Sequence, residues 1–182
     1  MIVIMSDPFD TLFHAADPRN CAPGELLFHT GDPVTRVYRV RSGRVALRRN
    51  TPDGTELTLQ IAGPGEVAAE ASAYSEAYHC DAVALEPSVV ECLPRDTLRA
   101  ALRESPELAE AWARRLTRAV QAARMRAEIR SLRTVAERLD VWLATRGALP
   151  DKGRWQELAT ELGVTREALY RELARRRGGP AG

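Results

Sequence analysis

Apolar positions along this chain change their period partway through. Between Pro23 and Leu93 they fall in short alternating or β-branched runs: Arg36 to Val40, Arg44 to Arg48, Glu56 to Ile61, Asp81 to Leu85 and Ser88 to Leu93. Turn-forming stretches bound these runs, namely Gly31-Asp32-Pro33, Pro52-Asp53-Gly54 and Glu86-Pro87. Gly31, Gly43, Gly54 and Gly65 recur at spacings of 12, 11 and 11 residues. Several short strands at such intervals predict an antiparallel sandwich or roll. Ahead of it, Phe9, Leu12, Phe13 and Ala16 mark a short helix, and Asp17-Pro18-Arg19-Asn20 reads as a loop.

After Pro94 the period becomes helical. Arg95 to Arg103 is a short helix with Leu98 and Leu102 on one face. Ser105-Pro106-Glu107 opens a longer one, with serine as cap, proline at the first position and an early acid that suits the helix dipole. Proline and glycine are then absent until Gly147, so one or two helices cover about forty residues. Leu108, Trp112, Leu116, Ala119, Val120 and Ala123 form an apolar stripe. The stripe can pack on the chain's own β domain or on a second copy. A long helix between two modules favours the second, with Trp112, Leu116, Ala119, Val120 and Ala123 as the dimer seam. Leu132, Val135, Leu139, Trp142 and Leu143 make the next apolar face, and residues 146–153 read as a loop.

Arg154 to Arg177 then reads as two helices around a tight turn. Leu158, Leu162 and Val164 supply apolar contacts, and Leu169 and Leu173 repeat at helical spacing. Ala159 is small where the helices cross, Gly163 suits a positive φ, and Thr165 can cap the second helix. A small residue, a glycine four later and an apolar residue six later still is the spacing of a DNA-binding helix-turn-helix. Arg166, Glu167, Tyr170 and Arg171 lie on or near one face of the second helix, opposite Leu169 and Leu173. Arginine can fork onto guanine and a carboxylate can accept from cytosine. An ordinary helical hairpin with a solvated charged face explains the charges alone, but not their coincidence with the Ala–Gly–Leu spacing.

Charge sharpens this picture. Net charge is only +1, yet residues 1–105 carry 10 Arg against 15 acids, and residues 106–182 carry 15 Arg and one Lys against 10 acids. An acidic N-terminal module joined to a basic one suits a nucleic-acid-facing C-terminal half. Cys21, Cys80 and Cys92 are widely spaced, which argues against a disulfide framework or a zinc site. Met1 to Met5 is too short for a signal peptide and no run reaches membrane-span length, so a cytoplasmic protein that avoids membranes is expected. His14, His29 and His79 are scattered, no Ser/His/Asp set or phosphate loop is evident, and an enzyme is not expected.

A glycine-punctuated β-roll, a long helix and a helix-turn-helix, in that order, resemble the CRP/FNR family of bacterial transcription regulators. The resemblance runs over about residues 20–177 and rests on Gly31-Asp32-Pro33, on Val37 to Val45, on Pro64-Gly65-Glu66, and on Leu132-Arg133-Thr134-Val135-Ala136-Glu137-Arg138-Leu139. It implies an α+β chain: a cupin-like, cyclic-nucleotide-binding-like antiparallel β-roll over residues 1–105, a long dimerisation helix over 106–131 and a helix-turn-helix domain over 132–182. It further implies a homodimer on near-palindromic double-stranded DNA sites, working with RNA polymerase. Arg166, Glu167 and Arg171 match the base-reading trio of the family's cyclic-AMP branch, which implies a TGTGA-like half-site. Tyr170 joins them as a candidate reader, with Thr165, Arg175, Arg176 and Arg177 at the DNA backbone.

The resemblance places an effector pocket at Gly65, Glu66, Glu70, Tyr78, His79 and Cys80. Glu70 matches the carboxylate that holds a cyclic nucleotide's ribose. The arginine that neutralises the phosphate is missing from Tyr78-His79-Cys80, and Ala69 replaces a usual glycine, so cyclic AMP is not expected as effector. Haem or another small effector stays open at His79 and Cys80. Against haem, adjacent residues on a strand point to opposite faces, which favours a buried apolar Cys80 and a loop His79. Cys21 stands alone, so no iron–sulfur cluster is expected. The family's β-hairpin wing is expected to be missing or truncated, since only Arg175 to Gly182 follow. That leaves a second function open, a dimeric sensory or interaction protein with weakened or lost DNA binding.

Overall fold

The five sequence-predicted strands all form, and three further ones complete them. The computed structural model describes residues 8–54 and 56–178; the Met1–Met5 run and residues 179–182 lie outside these. One antiparallel sheet joins β1 (Asp17–Cys21), β8 (Ser88–Pro94), β3 (Arg36–Ser42) and β6 (Val67–Ala68), in that spatial order. The other joins β2 (Leu26–Phe28), β7 (Asp81–Ala84), β4 (Val45–Asn50) and β5 (Glu56–Ala62). Residues 17–20, expected as a loop, instead belong to the edge strand Asp17–Cys21 in register with β8, Pro18 opposite Glu91. An edge strand has an unpaired side where a proline's missing N–H costs nothing, so a turn-like sequence can still pair.

Between the sheets lies a core of Phe28, Tyr38, Val40, Val45, Leu47, Val90 and their neighbours, with all three cysteines buried in it. Gly43 makes the β3–β4 turn at φ 79°, where a Cβ would sit 2.6 Å from the Pro87 carbonyl oxygen. A second core holds helix α1 (Pro8–His14), helix α2 (Arg95–Glu104) and the start of helix α3 (Pro106–Ser131) against Val37, Val67 and Leu93. One buried arginine, paired with two carboxylates, ties this core down. Arg39 donates Nε to Glu91 Oε2 at 2.6 Å and Nη1 to Asp10 Oδ1 at 2.7 Å, with its guanidinium 4.9 Å from the Phe13 ring centroid.

Ser105 caps α3 as expected, its hydroxyl accepting from Leu108 N–H at 3.2 Å. The chain divides into two compact units, residues 1–116 and 117–182, with the division inside α3. In the second unit, α4 (Val135–Arg146), α5 (Trp155–Leu162) and α6 (Arg166–Gly178) enclose Ile129, Leu139, Trp142, Leu158, Ala159, Leu162, Leu169 and Leu173. Among the described residues no strand follows α6, and no helix is long and apolar enough to cross a membrane.

Candidate nucleic-acid interface and effector pocket

The turn between α5 and α6 is built by short-range chemistry. Gly163 ends α5 in the left-handed conformation at φ 64°, and Val164 N–H returns to the Ala159 carbonyl at 3.0 Å. Thr165 caps α6, its hydroxyl accepting from Ala168 N–H at 3.2 Å. Ala159 is fully buried, which lets the two helices approach. Two arginines that sequence reasoning missed then clamp the turn. Arg138 on α4 donates to the Leu162 and Gly163 carbonyls at 3.0 and 2.9 Å. Arg130 at the end of α3 donates to the Thr160 carbonyl at 2.8 Å. These are the carbonyls a helix end leaves without intrahelical donors. The capping box at Thr134 and Glu137, which orients α4 and so Arg138, was the available signal.

Along α6, Leu169 and Leu173 are buried, while Arg166, Glu167 and Arg171 are exposed. Glu167 is held below the usual carboxylate range by its own backbone N–H and by the Thr165 side chain, so it carries its charge. No hydrogen bond or ion pair engages the Arg171 guanidinium among the described residues. Tyr170 is placed differently from the other three. It is half-buried, edge-on to Trp155 with centroids 5.1 Å apart, and its hydroxyl accepts from Arg166 Nη2 at 3.2 Å.

The three C-terminal arginines are not equivalent either. Arg176 donates to Glu172 Oε1 at 2.6 Å, to Asp140 Oδ1 at 2.7 Å and to the Ala136 carbonyl at 3.0 Å. Expected at the DNA backbone, it holds α6 on α4, because Glu172 and Asp140 face it from both helices. Arg175 also pairs with Glu172, at 2.7 Å, but is exposed. Arg177 is exposed, its guanidinium carbon 5.4 Å from the Trp155 ring centroid. Bonds to Arg175 and Arg176 bring Glu172 well below its ordinary 4.5, to about 2.

The expected dimer seam divides in the same way. Trp112 is buried against Phe9, centroids 5.8 Å apart, and Leu116 packs on that same core. Trp112 therefore belongs to its own unit and not to a surface for a second copy. Further along α3, Val120 is 49 % exposed, Ala123 is exposed and Ala119 is half-buried.

In the roll, Gly65 and Glu66 form the turn before β6, with Glu66 Oε2 accepting from Gly63 N–H at 2.8 Å. Glu70, buried along with Ser72 and Ala73, opens a 3₁₀ turn, Glu70–Tyr74, which Ala69 precedes at φ 55°, the one left-handed non-glycine residue among those described. Tyr78 is buried and stacked on Phe28 at 3.7 Å, its hydroxyl donating to the Arg36 carbonyl at 2.6 Å. Cys80 is buried, which pushes its thiol up, whereas His79 is exposed. Both lie in the bend ahead of β7 and not on a strand, so the buried thiol and the exposed imidazole are separated by the bend, and none of the three puts a cation inside the roll.

Comparison with known proteins adds relatives to this geometry. Residues 18–105 match the model of the cyclic nucleotide-binding domain. The chain is 32 % identical over 155 residues to the cyclic AMP receptor protein of Thermus thermophilus, covering 82 % of this chain and 72 % of that one. It is 32 % identical over 96 residues to the CRP-like cAMP-activated global transcriptional regulator of Mycobacterium tuberculosis, covering 52 % of this chain and 43 % of that one. Among solved structures, the catabolite activator protein of Thermus thermophilus matches with TM-score 0.57 and 29 % identity, over 97 % of this chain and 86 % of that one. FixK2 of Bradyrhizobium japonicum shares the fold with TM-score 0.76 at 20 % identity, over 92 % of this chain and 89 % of that one.

Proposed function

The chain belongs to the CRP/FNR family of transcriptional regulators, and from that premise we infer that it binds double-stranded DNA sequence-specifically, as a homodimer, through α6. The observation that carries this reading is the exposed start of α6. Arg166, Glu167 and Arg171 project there from a turn clamped by Arg130 and Arg138, and among the described residues no hydrogen bond or ion pair holds Arg171. A guanidinium that no described hydrogen bond holds gives up none of them when it meets a guanine edge. Thr165, Arg175 and Arg177 supply backbone contacts, while Arg176 serves the fold.

Residues 106–131 join two copies through Ala119, Val120 and Ala123, which sets two recognition helices about 34 Å apart for successive major grooves. Residues 1–105 form the effector module, residues 132–182 the DNA-binding module, and a promoter-bound dimer would work with RNA polymerase. The effector is a small molecule other than cyclic AMP, because no buried arginine stands at Tyr78 to Cys80 to meet a cyclic phosphate.

Selection of binding sites from random DNA with the full chain tests the reading. The expected result is a near-palindrome with two TGTGA-like half-sites. A chain that enriches no motif, at low salt and in the dimeric state, would be a sensory protein without DNA readout, and the conclusion would fall.

A further inference from the structure

Tyr170 sits at the centre of a small aromatic and cationic chain on the surface of the C-terminal unit. Its ring meets Trp155 edge-on, at 5.1 Å and 69°. Trp155 is itself immobilised, 8 % exposed, with its indole N–H donating to the Pro150 carbonyl at 3.0 Å. One turn before Tyr170, Arg166 donates Nη2 to the tyrosine hydroxyl at 3.2 Å and lies 5.2 Å from the ring centroid. The tyrosine is therefore held from below by tryptophan and holds an arginine above. Residues at i and i+4 on a helix are side by side, so this contact lies along the exposed face of α6.

We propose that Tyr170 is a positioning residue that does not read bases itself but fixes how Arg166 is presented, and through it sets the preference at the base pair Arg166 reads. The proposal rests on the assignment of α6 as the DNA-reading helix. Three features support the division of labour. Tyr170 is half-buried, and its edge-on packing on Trp155 leaves its ring little freedom to swing into a groove. Its hydroxyl is an acceptor already used by Arg166. Arg166 has its free donors left over, since a guanidinium carries five N–H groups and the tyrosine takes one. A long side chain held in one rotamer loses less entropy when it binds, so the correct base gains over the wrong one.

The test replaces Tyr170 with Phe, which keeps the ring on Trp155 and removes only the acceptor. Binding-site selection is run on the wild type, Tyr170→Phe, Arg166→Ala and the double variant. The expected result is a loss of preference of about fivefold, one net hydrogen bond, at the single base pair that Arg166→Ala also erases. All other positions keep their preference, the melting temperature stays put, and the double variant matches Arg166→Ala. Relaxation nuclear magnetic resonance of the Arg166 Nε–Hε group without DNA should show greater mobility in Tyr170→Phe. An unchanged motif and unchanged Arg166 mobility would overturn the proposal. Loss of preference at a base pair untouched by Arg166→Ala would also overturn it, by making Tyr170 a reader. If the wild type itself selects no motif, the DNA-binding conclusion fails first, and the inference falls with it.

Discussion

Arg138 Nη1 lies 2.9 Å from the Gly163 carbonyl oxygen, so the residue that makes the helix-turn-helix turn is gripped by a side chain from α4. The same guanidinium holds Leu162 at 3.0 Å and the Leu132 carbonyl at 2.9 Å. The turn is thus fixed from the helix ahead of it as well as by its own glycine. Arg138→Ala should leave those carbonyls without their donor and lower stability by about 1–3 kcal/mol. Gly163→Ala should cost about 1 kcal/mol or more, since φ is 64° and a Cβ would meet Arg130 Cγ at 2.9 Å. Chemical denaturation monitored by tryptophan fluorescence measures both, and two variants as stable as wild type would refute the clamp.

Acid should loosen α6. The Glu172 carboxyl is lowered to about 2 by its bonds to Arg175 and Arg176, so the unfolded chain takes up a proton there before the folded one does. The stability it supplies is present above the unfolded value near 4.5 and is lost as pH falls towards 2. Glu172→Gln should lower the melting temperature at pH 7 and narrow its difference from wild type as pH drops from 5 to about 2. A difference that stays constant over that range would contradict the pairing.

Charge placed on the exposed stretch of α3 should separate two copies. Val120→Glu, with the side chain already 49 % exposed in one copy, leaves the folded unit intact while setting like charges against each other across a two-fold seam. Light scattering is expected to show a wild-type dimer and a variant monomer at micromolar concentration. A wild-type monomer would remove the seam. Trp112→Ala is expected to behave otherwise, unfolding its own unit by about 3–5 kcal/mol, because that ring fills the core beside Phe9.

Cyclic AMP at millimolar concentration should leave the melting temperature unchanged. A ligand specific for the folded state at a hundred times its dissociation constant adds about 2.7 kcal/mol. Tyr78 is spent on Phe28 and the Arg36 carbonyl, and His79 faces outward, so the phosphate charge would be buried against no guanidinium from this stretch. A clear upward shift would show that an arginine from elsewhere serves the site.

The arginines of α6 should separate by readout. Arg171→Ala is expected to cost about 1–3 kcal/mol on the selected site and to relax one base pair. Arg177→Ala should weaken all sequences alike and reduce the salt slope by about one unit. Arg176→Ala should instead lower the melting temperature, since it bridges Glu172 and Asp140. An Arg176 variant with wild-type stability and a lower salt slope would return it to the DNA backbone.

What could be read from the sequence alone was what neighbours along the chain decide. Gly163 at a positive φ, Thr165 as cap and Ser105 ahead of Pro106 are interactions over one to four residues, and each leaves its mark in residue type and spacing. The exposed Arg166–Glu167–Arg171 face followed from helical period alone. Tertiary structure decided which of several chemically equal groups remains available. Arg171 and Arg176 are both arginines on one helix, but Asp140, thirty-six residues from Arg176, claims only the second. Trp112 and Val120 lie on one predicted stripe, yet Phe9, more than a hundred residues away, covers only the first. Pro18 looked like a turn until β8 arrived to pair with it. Period records which face of an element is apolar or charged; what meets that face depends on packing against distant segments, and spacing carries no record of it.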